Sequence, residues 1–121
     1  MNSWEVEITL LFAAWLQEQD DEMVEDVLSS LELLKVFGPM LGRPDVDTVI
    51  GSRFANMKEL RVQSNGRPIR AFFAFDPVRK AIVLCAGDKT GVNQKRFYQS
   101  MIKLADKEYK QHLEELTNAK T

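Results

Sequence analysis

A chain of 121 residues, 45% hydrophobic and 28% charged, has enough apolar content for one compact core and too little for two, so residues 1–121 read as a single domain. Its one cysteine, Cys85, excludes an internal disulfide and stands in an apolar run, as a buried small side chain would in a reducing, cytoplasmic setting. The net charge of −2 hides a division: residues 1–37 carry nine acids against Lys35, whereas residues 51–103 carry eleven Lys and Arg against three acids, a local field that suits an anionic partner.

In chain order, WEVEI (4–8) alternates like a short strand, and Ile8, Leu11, Phe12, Trp15 and Leu16 then share one helical face. The run ITLLFAAWL (8–16) is too short to cross a bilayer, and acidic Glu5 and Glu7 precede it where a signal peptide would be basic; no membrane association is expected. Asp20-Asp21 marks a second helix start, after which Met23, Val24, Val27, Leu28, Leu31 and Leu34 keep helical spacing as far as Gly38-Pro39. Residues 38–56, with three glycines and two prolines and no sustained period, read as a long surface loop.

The segment KELRVQSNGRPIRAFFAFD (58–76) predicts a hairpin, because Asn65-Gly66 is the pair a tight type I′ turn requires. Asp76-Pro77 predicts a second turn into the strand KAIVLCAG (80–87). Asn93 then stands as a cap before Tyr98, Ile102, Ala105, Tyr109 and Leu116 on one helical face.

Register follows from the turns. A loop at Asn65-Gly66 sets Arg61 opposite Arg70, and a turn centred on Pro77-Val78 sets Arg70 beside Cys85. Since strand faces alternate, Leu60, Val62, Ile69, Ala71, Phe73, Phe75, Ile82, Leu84 and Ala86 form an apolar core face. The other face collects Glu59, Arg61, Gln63, Arg70, Phe72, Ala81, Val83 and Cys85. Two arginines directly opposite repel, so either Glu59 or a bound phosphate should compensate them. Gly87 then delivers Asp88 and Lys89 to the rim of that face, followed by Arg96 and Tyr98 on the last helix.

The stretch VLCAGDKTG (83–91) is not a nucleotide-binding P-loop, because Asp88 rather than glycine precedes Lys89 and the upstream glycine spacing is absent. One histidine and one cysteine fall short of a metal-ligand set, so neither metal nor cofactor is expected. Asp45 and Asp47 read as turn residues, and His112 as a surface or capping residue. Arginines and lysines do suit RNA cleavage by the substrate's own 2′-hydroxyl, where the protein stabilises phosphoryl charge and moves protons. A lysine or tyrosine flanked by cations could have its pKa lowered for that task. Phe72, Phe97 and Tyr98 could stack on bases or pack in the core.

The stretch KELRVQSNGRPIRAFFAFDPVRKAIVLCAGDKTG followed by KRFYQSMIKLADKEYKQHLEEL, with WEVEIT and LGRPDVDTVIGSRFANMKELR before it, resembles the HigB-type, phage Gp49-like branch of the RelE/ParE toxin superfamily. That resemblance implies an α+β fold of RelE type: a small twisted antiparallel sheet of about four strands against an N-terminal helical hairpin, plus a C-terminal helix. It implies the toxin of a type II toxin–antitoxin pair, a ribosome-dependent endoribonuclease that cuts mRNA in the A site, inhibits translation and is silenced by a helix-turn-helix antitoxin. By matched position it implies Arg70, Lys89, Arg96 and Tyr98 as catalytic residues, with Lys58, Arg61, Arg67 and Phe97 on the RNA. No histidine lies near Lys89, so acid and base stay unassigned. A ParE-like inhibitor of DNA gyrase and a non-catalytic binding module of the same fold are the alternatives.

Overall fold

The computed structural model describes residues 3–119. In chain order it has strand β1 (Glu5–Ile8), helices α1 (Leu10–Gln17) and α2 (Asp21–Phe37), strands β2 (Val46–Thr48), β3 (Lys58–Ser64), β4 (Arg67–Phe75) and β5 (Lys80–Asp88), and helix α3 (Gln94–Ala119). The sheet runs β1-β5-β4-β3-β2. This is the expected α+β, RelE-like architecture, with two refinements. The sheet has five strands, since β2 hides in the glycine- and proline-bearing loop, and β1 pairs with β5 in parallel.

Helix starts follow local chemistry. The Thr9 hydroxyl accepts from the Phe12 N–H and donates to the Leu84 carbonyl, so one side chain caps α1 and ties it to β5. The Asp20 carboxylate caps α2 by accepting from the Met23 N–H, and the Asn93 side chain accepts from the Arg96 N–H at the start of α3.

The β3–β4 hairpin has the predicted register, Arg61 opposite Arg70, with Asn65 and Gly66 at φ +51° and +79° as the tight turn demands. The β4–β5 register differs from expectation. The Asp76 N–H donates to the Lys80 carbonyl, leaving a three-residue loop whose last member, Arg79, takes φ +68°. That shifts the pairing by one residue, so Phe73 faces Val83 and Ala74 faces Ile82. A bulge between the Phe72–Cys85 and Phe73–Val83 pairs, where Leu84 is the extra residue, shifts it once more. Arg70 therefore lies opposite Gly87 rather than beside Cys85.

A one-residue slip reverses faces. Leu60, Val62, Ile69, Ala71, Phe73 and Ala86 pack with Phe12 and the α2 residues Met23, Val27, Leu31 and Leu34, as expected, but Ala81 and Val83 join them. Ile82 and Leu84 turn instead to the other face, with Phe72, Ala74 and Cys85 under Ala105 and Tyr109 of α3. Both faces of the sheet are thus covered, which is why Ala81 to Ala86 of β5 are all buried. Phe72 of β4 is fully buried against Phe97 and Tyr98 of α3, and truncating it to alanine would cost about 3–5 kcal/mol.

Candidate active site

Two arginines face each other across β3 and β4, and the compensation for their repulsion is a buried carboxylate. Glu59 sits two pairs along, on the same face and opposite Phe72, with its side chain 6% exposed. Its Oε2 accepts from Arg61 Nε at 3.1 Å, and its Oε1 accepts from the Tyr98 hydroxyl at 2.6 Å. Arg70 Nε lies 3.9 Å from the same Oε1, within ion-pair range but too long for a hydrogen bond. Arg70 is otherwise anchored by donating to its neighbour's carbonyl, Ile69, at 3.0 Å.

Strand β2 adds a second carboxylate. Asp47 pairs directly with Glu59 across the ladder, accepts from Arg61 at 3.1 Å and meets Arg43 at 3.2 Å. The expectation of a turn residue at Asp47 misses this role, because a three-residue strand in a loop leaves no periodicity to read. Arg43 beside it holds the Asp47 carboxyl below its ordinary pKa.

The rim is built by the β5–α3 junction. The Lys89 N–H donates to the Pro68 carbonyl, which fixes the backbone next to β4, and Lys89 Nζ reaches over the Tyr98 ring, 5.3 Å from its centroid. Four cations, Arg43, Arg61, Arg70 and Lys89, thus stand against two carboxylates, Asp47 and Glu59. Both carboxylates lie on the β2–β3 side, so the excess positive charge falls at Arg70 and Lys89. Partial desolvation, followed by the nearby Arg70 charge, lowers the Lys89 pKa. Tyr98 goes the opposite way: burial first, then its bond to Glu59, raises the phenol. Of the lysine and the tyrosine, only Lys89 is lowered, by desolvation before Arg70; at Tyr98 the lowering by Arg70 is outweighed.

Gly87 shapes the approach of α3. A Cβ at that position would come within 2.9 Å of the Phe97 ring, so glycine lets Phe97 close over β5 beside Arg70. Phe97 is half-buried against Phe72 at 6.4 Å, a packing position rather than a free stacking surface.

The structure therefore gathers Arg61, Arg70, Lys89 and Tyr98 around Glu59, and separates the other expected residues from them. Arg67 points to the opposite face, where its guanidinium meets Asp20 at 3.1 Å and joins the hairpin to the start of α2. Lys58 alternates with Glu59 and places its Nζ 3.3 Å from the Thr48 hydroxyl at the sheet edge. Arg96 is exposed on the flank of α3 that carries Ser100 and Met101, beside Val92 of the preceding turn and away from the Tyr98 flank. Cys85 is buried and its thiol is pushed up to about 12, mainly by desolvation, which removes it as a nucleophile.

His112 is not a free surface residue. Its Nε2 lies 2.8 Å from Asp76 Oδ2, while Asp76 Oδ1 accepts from the Val78 and Lys80 N–H groups and so shapes the β4–β5 turn. Among the described residues, no three His, Cys, Asp or Glu side chains gather as a metal ion would need. No helix among them is long and apolar enough to cross a membrane.

Comparison with known proteins bears on what this arrangement is for. The sequence matches the phage-derived Gp49-like protein family (DUF891) over residues 14–110. Two Mycobacterium tuberculosis proteins provisionally named as toxins are similar to it. HigB2 is 48% identical over 109 residues, 89% of this chain and 54% of that relative; HigB3 is 48% identical over 92 residues, 76% of this chain and 78% of that relative. The chain thus spans about half the length of HigB2. On the family match and these identities together, the chain belongs to the phage-derived Gp49-like family, in its HigB-type branch.

Proposed function

We propose that this chain is the toxin of a type II toxin–antitoxin pair and that it cleaves mRNA on the ribosome, using Arg70, Lys89, Arg61 and Tyr98. The observation that carries the reading is the positive excess at Arg70 and Lys89, where a lysine of lowered pKa stands beside an arginine at an open rim. The names of the two relatives support the toxin part.

The chemistry needs groups already in the cluster and water. A ribose 2′-hydroxyl gives up its proton and bonds to the adjacent phosphorus as the bond to the 5′-oxygen breaks, and the leaving 5′-oxygen takes a proton from water, leaving a 2′,3′-cyclic phosphate and a 5′-hydroxyl. Lys89, in its neutral form, takes the 2′ proton. Arg70 and Arg61 stabilise the added phosphoryl charge, for which preorganised donors are each worth roughly 10²–10³-fold. Tyr98, held neutral by Glu59, orients Arg70 and Lys89 through the carboxylate and its ring face. A helix-turn-helix antitoxin is the expected silencer, and a cytoplasmic site of action goes with a ribosomal target.

Incubating the protein with mRNA, with and without ribosomes, tests this. Cleavage that requires ribosomes and disappears with Arg70→Ala is the expected result. Absence of cleavage by the wild type, together with gyrase-dependent DNA breaks, would transfer the chain to the gyrase-inhibitor reading. Absence of both, with a harmless chain on expression, would favour the binding module.

A further inference from the structure

Ile50 is the most exposed large apolar side chain of the described residues, at 91%, yet it stands on a loop that is firmly held. Asp106 of α3 accepts from the Ser52 hydroxyl at 2.5 Å and from the Arg53 N–H at 3.0 Å, and Ser52 in turn accepts from the Phe54 N–H. The loop is thereby fixed as a wall facing α3. Between them lies a groove of about 590 Å³, predominantly apolar, bounded by Ile50, Tyr98 and Ile102, with Gln99 along it and Lys95 and Lys103 among its lining residues.

Tyr98 belongs to this groove and to the Glu59 cluster alike, so one side chain joins the groove to the cluster that holds Lys89 and Arg70. We infer that it holds one nucleobase of single-stranded RNA next to the scissile phosphate. The Tyr98 ring and the apolar side chains of Ile50 and Ile102 suit a base face, Gln99 offers an amide donor and acceptor to a base edge, and the two lysines suit the flanking phosphates. A base seated here would position the adjacent ribose against Lys89. This inference rests on the RNA-cleaving reading of the cluster.

The test uses the full chain, ribosomes and an mRNA with one abasic nucleotide at each position around the cut in turn. Ile50→Ala alters a side chain that is almost wholly exposed and should leave the fold intact. Cleavage of normal mRNA should fall about tenfold with Ile50→Ala, as loss of one base contact would produce. One abasic position should cause a similar fall in the wild type, and Ile50→Ala should add nothing to it. Independent effects of the two changes, or no effect of Ile50→Ala while Lys89→Ala abolishes cleavage, would overturn the groove assignment and leave the cluster standing. Loss of antitoxin binding by Ile50→Ala with cleavage unchanged would assign the groove to a protein partner and overturn it likewise. No cleavage by the wild type would remove the cluster reading and this inference together.

Discussion

The two ends of α3 each cover a buried carboxylate and carry a tyrosine, and they differ in what donates to that carboxylate. Near the C-terminal end, Asp76 receives two backbone N–H groups and faces His112, while the Tyr109 hydroxyl meets the Phe75 carbonyl and the Asn56 side chain. Near the N-terminal end, Glu59 receives only side chains: Tyr98, Arg61 and, at longer range, Arg70. Backbone donors fix a turn and leave no mobile charge. Side-chain donors hold cations in place at the sheet rim, so the same kinds of residue build a structural joint at one end and, at the other, the cluster proposed to act on RNA.

The sharpest way to break that contrast is to remove a cation at the open end. Lys89→Ala or Arg70→Ala should lower mRNA cleavage by about 10²–10³-fold while the thermal midpoint stays within a few degrees, measured by cleavage assay and calorimetry on the same preparation. A matching loss at the closed end should show only in stability. Asp76→Ala removes the acceptor of two backbone donors and of His112, which should cost about 2–4 kcal/mol in denaturant unfolding, with the folded fraction cleaving at the wild-type rate. A specific rate loss in Asp76→Ala would erase the distinction between the ends.

A smaller effect is expected from Tyr98→Phe, which deletes one hydrogen bond to Glu59 and should cost about 1 kcal/mol near neutral pH. The folded-state pKa of Tyr98 is raised, so its contribution is complete below its ordinary value of 10.0 and is lost as pH rises through the folded value. Alkaline unfolding should therefore begin at higher pH in Tyr98→Phe than in the wild type once the neutral-pH difference is subtracted. The smallest effect belongs to Cys85, whose buried thiol, raised to about 12, should stay unmodified by iodoacetamide at neutral pH until the protein unfolds.

Much of this was legible in the sequence, and the parts that were not have identifiable causes. Asn65-Gly66 determined the first hairpin and so the Arg61–Arg70 pair, because few other dipeptides accept two positive φ values in succession. The next turn concealed its length: Arg79, at φ +68°, carries none of the glycine signal that would announce a three-residue loop, and the bulge at Leu84 has no sequence mark. Those two shifts moved Ile82 and Leu84 to the α3 face and Arg70 from Cys85 to Gly87. Glu59 could be named as a counter-ion because it lies two residues before Arg61 on the same strand face, but the reach of Tyr98 to it depends on how α3 crosses the sheet. The pairing of Arg67 with Asp20 and the placement of Arg96 on the far flank of α3 are tertiary facts of the same sort.

The central claim, that Lys89 is the proton-accepting group of an RNA-cleaving cluster, is tested most directly by the pH dependence of single-turnover mRNA cleavage on ribosomes. Desolvation and Arg70 hold the Lys89 pKa below its ordinary 10.5, so the wild-type rate should climb from pH 6 to 9 as the neutral amine becomes populated. Lys89→Arg keeps the charge but cannot lose its proton in this range, and should be slow at every pH without that climb. The same climb and rate in Lys89→Arg as in the wild type would contradict the account.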